Sequence, residues 1–336
     1  MTDRDITIGI DIGGTNTTVG VIDVAGHELS TTRFPTDAHG GSDSYVRRLA
    51  LAIEQLCEGL PSAVTLGGIG IASPAANFIS GTIHQPANLA WGTINIVEML
   101  KKYFDLPVAV VNDANAAAIG ELKFGSAQRM NNFIVITLGT GLGAGIVVNG
   151  QLLQGGTGVA GELGHMTLDP NGRECGCGRS GCVETYISAT GIRRTVFELL
   201  ARRTIESPLR SITFLELTSK KIFELARDGD VIANEAFEIT GMQLGRMLAN
   251  MVAVFDPTAV ILTGGLANAG ELILEPTRRA FEANLLSVFK GQVSILQSKL
   301  SDGRASVLGA SSLVRSSLKE GVLAETDPQR SRIYEL

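Results

Sequence analysis

The stretch Ile8–Leu29, IGIDIGGTNTTVGVIDVAGHEL, decides the fold, because Ile134–Leu153, IVITLGTGLGAGIVVNGQLL, repeats its pattern. Each reads as strand, Gly/Thr-rich turn, strand, short turn, strand, with Asp11 opposite Thr137. The repeat predicts two related lobes, each opening with a hairpin whose turn can hold phosphate, and a nucleotide between them. A chance likeness of two Gly-rich turns is the alternative. Around the first stretch, strands are predicted over Ile6–Ile12, Thr17–Val24 and Glu28–Phe34. A helix follows over Asp43–Cys57, with Ser42 as its cap and Val46, Leu49, Ile53 and Leu56 at helical spacing. Apolar runs at Leu66–Ala72 and Val108–Val111 suit central strands covered on both faces. Beyond the second stretch, helices are predicted over Thr190–Arg203, Ser219–Arg227 and Val231–Val254, then a strand at Ala259–Leu262 entering Gly264 and Gly265. A last helix over Ala305–Lys319 is expected to pack on the first lobe, leaving a polar tail exposed from Glu325.

Composition narrows the function classes. The chain has 336 residues, 44% of them hydrophobic, enough for two cores. A net charge of -6 with scattered Lys and Arg argues against nucleic acid as a partner. No apolar run approaches the roughly 20 residues that span a bilayer, and the start MTDRDITIGIDIGG lacks the pattern of a signal peptide, so no membrane partner and a cytoplasmic location are expected. Three of the four cysteines fall in one octet, which suits metal better than a disulfide framework.

Four constellations carry chemistry. In DIGGTNTT, Gly13 and Gly14 let backbone N–H groups approach a phosphate, Thr15 and Asn16 add donors, and Asp11 is placed to hold magnesium. In LGTGLGAG, Gly139, Thr140, Gly141 and Gly143 repeat the setting without the Lys-Ser/Thr ending of a Walker A loop. In VVNDANAAAIGE, Asp113 stands where a strand meets an Ala-rich helix, the edge at which α/β sheets gather ligands, and suits a base that takes a hydroxyl proton in phosphoryl transfer. A plain helix N-cap is the other reading of Asp113. Finally, His165, Cys175, Cys177 and Cys182 are separated by nine, one and four residues. Three thiolates and an imidazole complete a tetrahedral zinc site with no open position, hence a structural one. Arg173, Glu174, Arg179 and Ser180 mark the segment as an exposed loop, where free thiols are disfavoured. Glu162, His165, Glu184 and Asn88 add polar groups suited to sugar hydroxyls.

In order and over nearly the whole chain, DIGGTNTT, NDANAAAIGE, LGTGLGAG, GELGH with CGCGRSGCVE, and ILTGG resemble the ROK family of sugar kinases and repressors, whose glucokinase-like members are nearest. The resemblance implies the two-lobed α/β actin-like ATPase (ribonuclease H-like) fold, with a smaller lobe over 1–115 plus about 304–336 and a larger one over 116–303. It implies ATP, Mg²⁺ and a structural Zn²⁺, Asp113 as base, a hexose bound by Asn88, Asn112, Glu162, His165 and Glu184, and Gly264 and Gly265 near the adenosine. A homodimer or homotetramer is expected. One departure stands out: the family commonly has Gly after Pro in the first-lobe sugar loop, whereas Pro74 is followed here by Ala75, Ala76 and Asn77, and Asn77 offers an added sugar contact. The family's repressors carry an N-terminal winged helix, for which the phosphate turn at residue 11 leaves no room. A sugar sensor without turnover is the remaining rival.

Overall fold

The computed structural model describes residues 5–37, 40–60, 64–86, 89–301 and 303–320. Asn88 and the tail from Glu325 lie outside them. The chain divides into two compact units: Met1–Arg129 with Leu152–Ala160 and Gly303–Leu336, and Met130–Gln151 with Gly161–Asp302. In chain order the first unit contains β1 (Asp5–Ile12), β2 (Asn16–Ile22), β3 (Glu28–Pro35), α1 (Ser42–Glu58), β4 (Thr65–Ser73), β5 (Ala76–Asn77), β6 (Thr82–His84), β7 (Thr93–Ile94), α2 (Ile96–Lys101), β8 (Val108–Asn112) and α3 (Asp113–Phe124). The second begins with β9 (Phe133–Leu138), β10 (Leu142–Val148) and β11 (Gln151–Leu152), then runs through α4 (Ala189–Arg202), α5 (Ser219–Arg227), α6 (Val231–Phe255), β12 (Ala259–Thr263), α7 (Glu271–Asn284) and β13 (Ser294–Gln297). Helix α8 (Arg304–Glu320) returns to the first unit.

The sheets share one topology. The first is ordered β3-β2-β1-β4-β8 and the second β11-β10-β9-β12-β13. In each, the opening strand pairs antiparallel with its hairpin partner and parallel with the strand on its other side, which is parallel to the edge strand beyond. The repeated sequence pattern is therefore a repeated fold.

Period-two alternation builds the first unit. Ile6, Ile8, Ile10 and Ile12 of β1 are buried and share a core with Tyr45, Leu49 and Ile53 of α1. Small residues occupy the other face, where α8 lies directly on the sheet. A Cβ at Gly9 or Gly70 would collide with the backbone of α8 at Val307 or Ala310. Thr7 Oγ1 lies 2.6 Å from Ser311 Oγ and accepts from Arg315 Nη2 at 2.8 Å. Helix α3 packs on α8 in the same close way, Gly120 meeting the backbone of Ala305 and Gly309 that of Ala116. That packing keeps α3 in the first unit, whose opening stretch runs to Arg129.

Two local expectations change. Helix α1 begins at Ser42 itself, and its cap is Gly41, whose carbonyl accepts from Tyr45 N–H at 3.1 Å. Helix α7, absent from the sequence reading, carries Pro276 inside it. The proline ring packs against Gly241 of α6, where no Cβ intervenes, so tertiary packing offsets the lost backbone hydrogen bond.

Ala75 adopts φ 55°. The loop thus keeps a left-handed conformation suited to glycine while carrying a side chain. Replacing Ala75 by Gly should stabilise the protein by about 0.5–1 kcal/mol, the relief of left-handed strain less the added chain entropy. Chemical denaturation measures it, and a destabilised variant would show the alanine methyl to be favourable there.

Candidate active site

In the first unit, parallel pairing brings β1, β4 and β8 to a common C-terminal edge, with Asp11 beside Ala72 and Ser73 beside Asn112. Asn112 takes the capping position: its Oδ1 accepts from Ala114 N–H at 2.9 Å and Asn115 N–H at 3.4 Å, so Asn112 is the N-cap of α3. Asp113 is thereby the first helical residue rather than the cap, half-buried, with Oδ1 accepting from Ala114 N–H at 2.8 Å. Burial raises its pKa above the ordinary carboxylate value, and backbone donors pull it partly back. Burial also raises Asp11, from 3.8 to about 7, with the charge of Asp113 adding to the rise and Arg33 opposing it. Two carboxylates facing one edge, offset only in part by Arg33, suit a divalent metal ion there. The adjoining turn is closed by Gly13 N–H donating to Asn16 O at 3.0 Å and is pinned by Thr36 Oγ1, which donates to Gly13 O at 2.7 Å. Gly14 and Asn16 are half-buried and Thr15 is exposed.

The second unit carries the matching turn between β9 and β10. Gly139 N–H donates to Gly141 O at 3.0 Å, Ala189 N–H at the start of α4 donates to Gly139 O at 2.9 Å, and Leu266 N–H donates to Leu138 O at 3.1 Å. Gly264 has φ 93° and lies against the Leu138 backbone, which leaves no space for a side chain, while Gly139 and Gly265 face open space. Thr140 is exposed beside them. The two glycine segments and the turn thus form one bonded group with bare backbone toward solvent, as a phosphate or nucleotide requires. Glu184 belongs to this group: its Oε2 accepts from Leu142 N–H at 2.9 Å and occupies the space that a Cβ on Gly141 would fill.

Metal-ligating atoms of His165, Cys175, Cys177 and Cys182 all lie within 4.8 Å of one another. Cys175 Sγ is 3.7 Å from His165 Nδ1, and Cys177 Sγ is 3.6 Å from Cys182 Sγ. A tetrahedron around zinc with thiolates at 2.3 Å has edges of about 3.8 Å. The donor set therefore fits that ion. Glu162 Oε2 stands 3.9 Å from His165 Nε2, where a carboxylate orients a ligating imidazole. Burial, then the neighbouring thiols Cys177 and Cys175, push Cys182 up to about 12. Such crowding opposes ionisation until a cation is bound.

Arg173 departs from expectation, and Asn77 has partners inside the protein. Arg173 is not a mark of exposure; its side chain is 10% exposed and threads back into the unit. Asn77 is buried and engaged at both ends of its amide. Oδ1 accepts from Ile79 N–H at 2.9 Å and Ser80 N–H at 3.1 Å, and Nδ2 donates to Thr157 O at 2.8 Å. It ties its own loop to the segment at Thr157, an arrangement no pattern along the chain reveals. The pairing of Asp11 with Asp113 and the bond from Leu142 to Glu184 were equally hidden, since each joins residues far apart in sequence.

Two glycine–threonine hairpins on duplicated five-stranded sheets, one edge carrying paired carboxylates, define a phosphotransferase of the actin-like ATPase fold. Residues 7–317 match the ROK family, and the chain belongs to it. It is 35% identical to the glucokinase of Streptomyces coelicolor over 319 residues, 92% of this chain and 98% of that one. The ROK family glucokinase of Streptomyces griseus, solved in complex with glucose and AMPPNP, is 34% identical and superposes with a TM-score of 0.79, covering 93% of this chain and 99% of that one. The xylose repressor of Bacillus subtilis is 32% identical over 247 residues, 74% of this chain and 60% of the repressor. Within the family this chain is an ATP-dependent sugar kinase.

Proposed function

We propose that the protein transfers the γ-phosphoryl group of ATP to the 6-hydroxyl of a hexose, glucose before others, with Asp113 as general base. One observation carries the role of Asp113: Asn112 takes over helix capping, leaving a half-buried carboxylate of raised basicity at the sheet edge. The substrate follows from the glucokinase relatives, one of them solved with glucose and an ATP analogue. As the acceptor oxygen attacks, its proton passes to Asp113 late in a loose transition state, so positioning and charge stabilisation contribute most. The backbone of Gly13–Asn16 and Gly139–Gly141, with Thr15 and Thr140, binds phosphate oxygens, and Gly264 and Gly265 border the nucleoside. Magnesium held by Asp11 would supply the positive charge that the polyphosphate needs. Asn112, through its Nδ2, together with Glu162, His165 and Glu184, binds sugar hydroxyls. No helix of the described residues is long and apolar enough to cross a membrane, which suits a cytoplasmic enzyme.

An ADP-release assay over glucose, mannose, fructose, allose, N-acetylglucosamine and N-acetylmannosamine tests the reading. Glucose should give the largest kcat/KM. A higher value for another sugar would reassign the substrate. Binding without turnover would favour a sugar sensor, the reading that likeness to a xylose repressor keeps open.

We also propose that His165, Cys175, Cys177 and Cys182 bind a structural zinc ion that staples the sugar-binding loop. Replacing Cys177 by Ser should abolish bound zinc, as measured by plasma emission spectrometry, and raise hexose KM by at least about tenfold. Unchanged metal content would refute the site.

A further inference from the structure

Arg173 is bonded through every donor it owns. Nε donates to Glu198 Oε1 at 2.8 Å and Nη2 to Glu198 Oε2 at 2.7 Å, a bidentate pair. Nη2 also donates to Thr195 Oγ1 at 3.0 Å, and Nη1 donates to the carbonyls of Thr185 at 2.6 Å and Gly191 at 3.1 Å. The guanidinium lies 4.4 Å from the centroid of the Tyr186 ring, and Arg173 N–H donates to Tyr186 Oη at 3.1 Å. These contacts clamp both residues that follow Glu184 onto the first turns of α4.

Glu184 is held from its other sides as well. Its carbonyl accepts from Ser188 Oγ at 2.8 Å, and Oε2 accepts from Leu142 N–H on the phosphate turn. Oε1 is the carboxylate oxygen offered to a ligand, and among the described residues Cys175 Sγ approaches it at 3.9 Å. The direction of Oε1 is set by the backbone at 184–186, a turn closed by Thr185 N–H donating to Cys182 O and Tyr186 N–H to Val183 O, each at 3.0 Å, and tied to α4 by Arg173. Cys182 holds Thr185 from the loop side, its carbonyl accepting from Thr185 Oγ1 at 2.7 Å, while Arg173 joins Thr185 O to Gly191 O and Glu198 on the α4 side.

We infer that Arg173 is a positioning residue for the kinase reaction: it orients Glu184, and through Glu184 it ties hexose binding to the phosphate turn. The inference rests on the reading of Glu184 as a sugar contact. Lysine in place of Arg173 keeps the charge but presents three donors on a flexible stem, which cannot satisfy a carboxylate fork and two carbonyls together.

A double-mutant cycle on the zinc-loaded enzyme tests it, with kcat and both KM values measured for R173K, E184Q and the pair. R173K should raise hexose KM about tenfold with zinc content intact, and in the E184Q background its further effect should fall below about twofold. An arginine that only stabilises the fold would lower the unfolding temperature, leave hexose KM unchanged, or act additively with E184Q; either kinetic result overturns the inference. E184Q with wild-type hexose KM would overturn the reading of Glu184, and the inference with it, while turnover still reported a kinase. Should R173K not fold, E198Q removes only the anionic partner. A hexose KM raised by about threefold and insensitive in the E184Q background then supports the inference, and an unchanged KM defeats it.

Discussion

Replacing Asp113 by Asn should lower kcat by about 10³–10⁴-fold and leave the hexose dissociation constant within about threefold. The amide oxygen of Asn can still accept from Ala114 N–H, and the cap of α3 belongs to Asn112, so the fold has no reason to change. What disappears is the only group on that side chain able to take a proton from the acceptor hydroxyl. Because proton transfer contributes in the transition state and little in the ground state, the loss falls on kcat rather than on binding. Coupled ADP release measures the first quantity and titration calorimetry the second. Near-normal turnover would remove Asp113 from the mechanism.

Replacing Asp11 by Asn should abolish magnesium-dependent turnover and, in the ligand-free protein, increase stability at pH 8. Burial, then the charge of Asp113, lifts Asp11 from 3.8 to about 7, so the folded chain holds its proton more tightly than the unfolded chain. The stabilising contribution of this group is therefore complete below about pH 4 and is lost as pH rises toward 7. Above that, the folded state keeps an unfavourable carboxylate. The displacement corresponds at most to about 4 kcal/mol, and the partial exposure of Asp11 reduces a realistic gain to about 2 kcal/mol. Urea unfolding at pH 8 should show the variant ahead of wild type, with the advantage gone near pH 4. A variant less stable than wild type at pH 8 would mean that Asp11 makes a structural contact worth more than its charge. The same carboxylate lowers the stability of the folded chain and suits the site to a cation, so function and stability pull against each other here.

The outline of the fold was legible in the sequence because its signals are local. Alternating isoleucines in β1 and the unbroken apolar runs of β4 and β8 announce strands within a few residues, and the two hairpins announce the duplicated sheet. Helix α7 escaped because Pro276 breaks a pattern read along the chain, whereas a glycine on α6 makes that proline acceptable.

By itself the sequence determined which residues can do chemistry: a carboxylate following a strand, two glycine-rich turns, and one histidine with three cysteines at metal spacing. Side-chain type and short spacing suffice for that, since both are properties of neighbouring residues. Only the tertiary structure decided what each residue is free to do. Asn112 caps α3, Asn77 joins its own loop to Thr157, Arg173 turns inward, and Glu184 accepts from Leu142 N–H in a distant part of the chain. Burial, hydrogen-bond partnership and the charge felt from another side chain depend on distances in space, which separation along the chain does not encode.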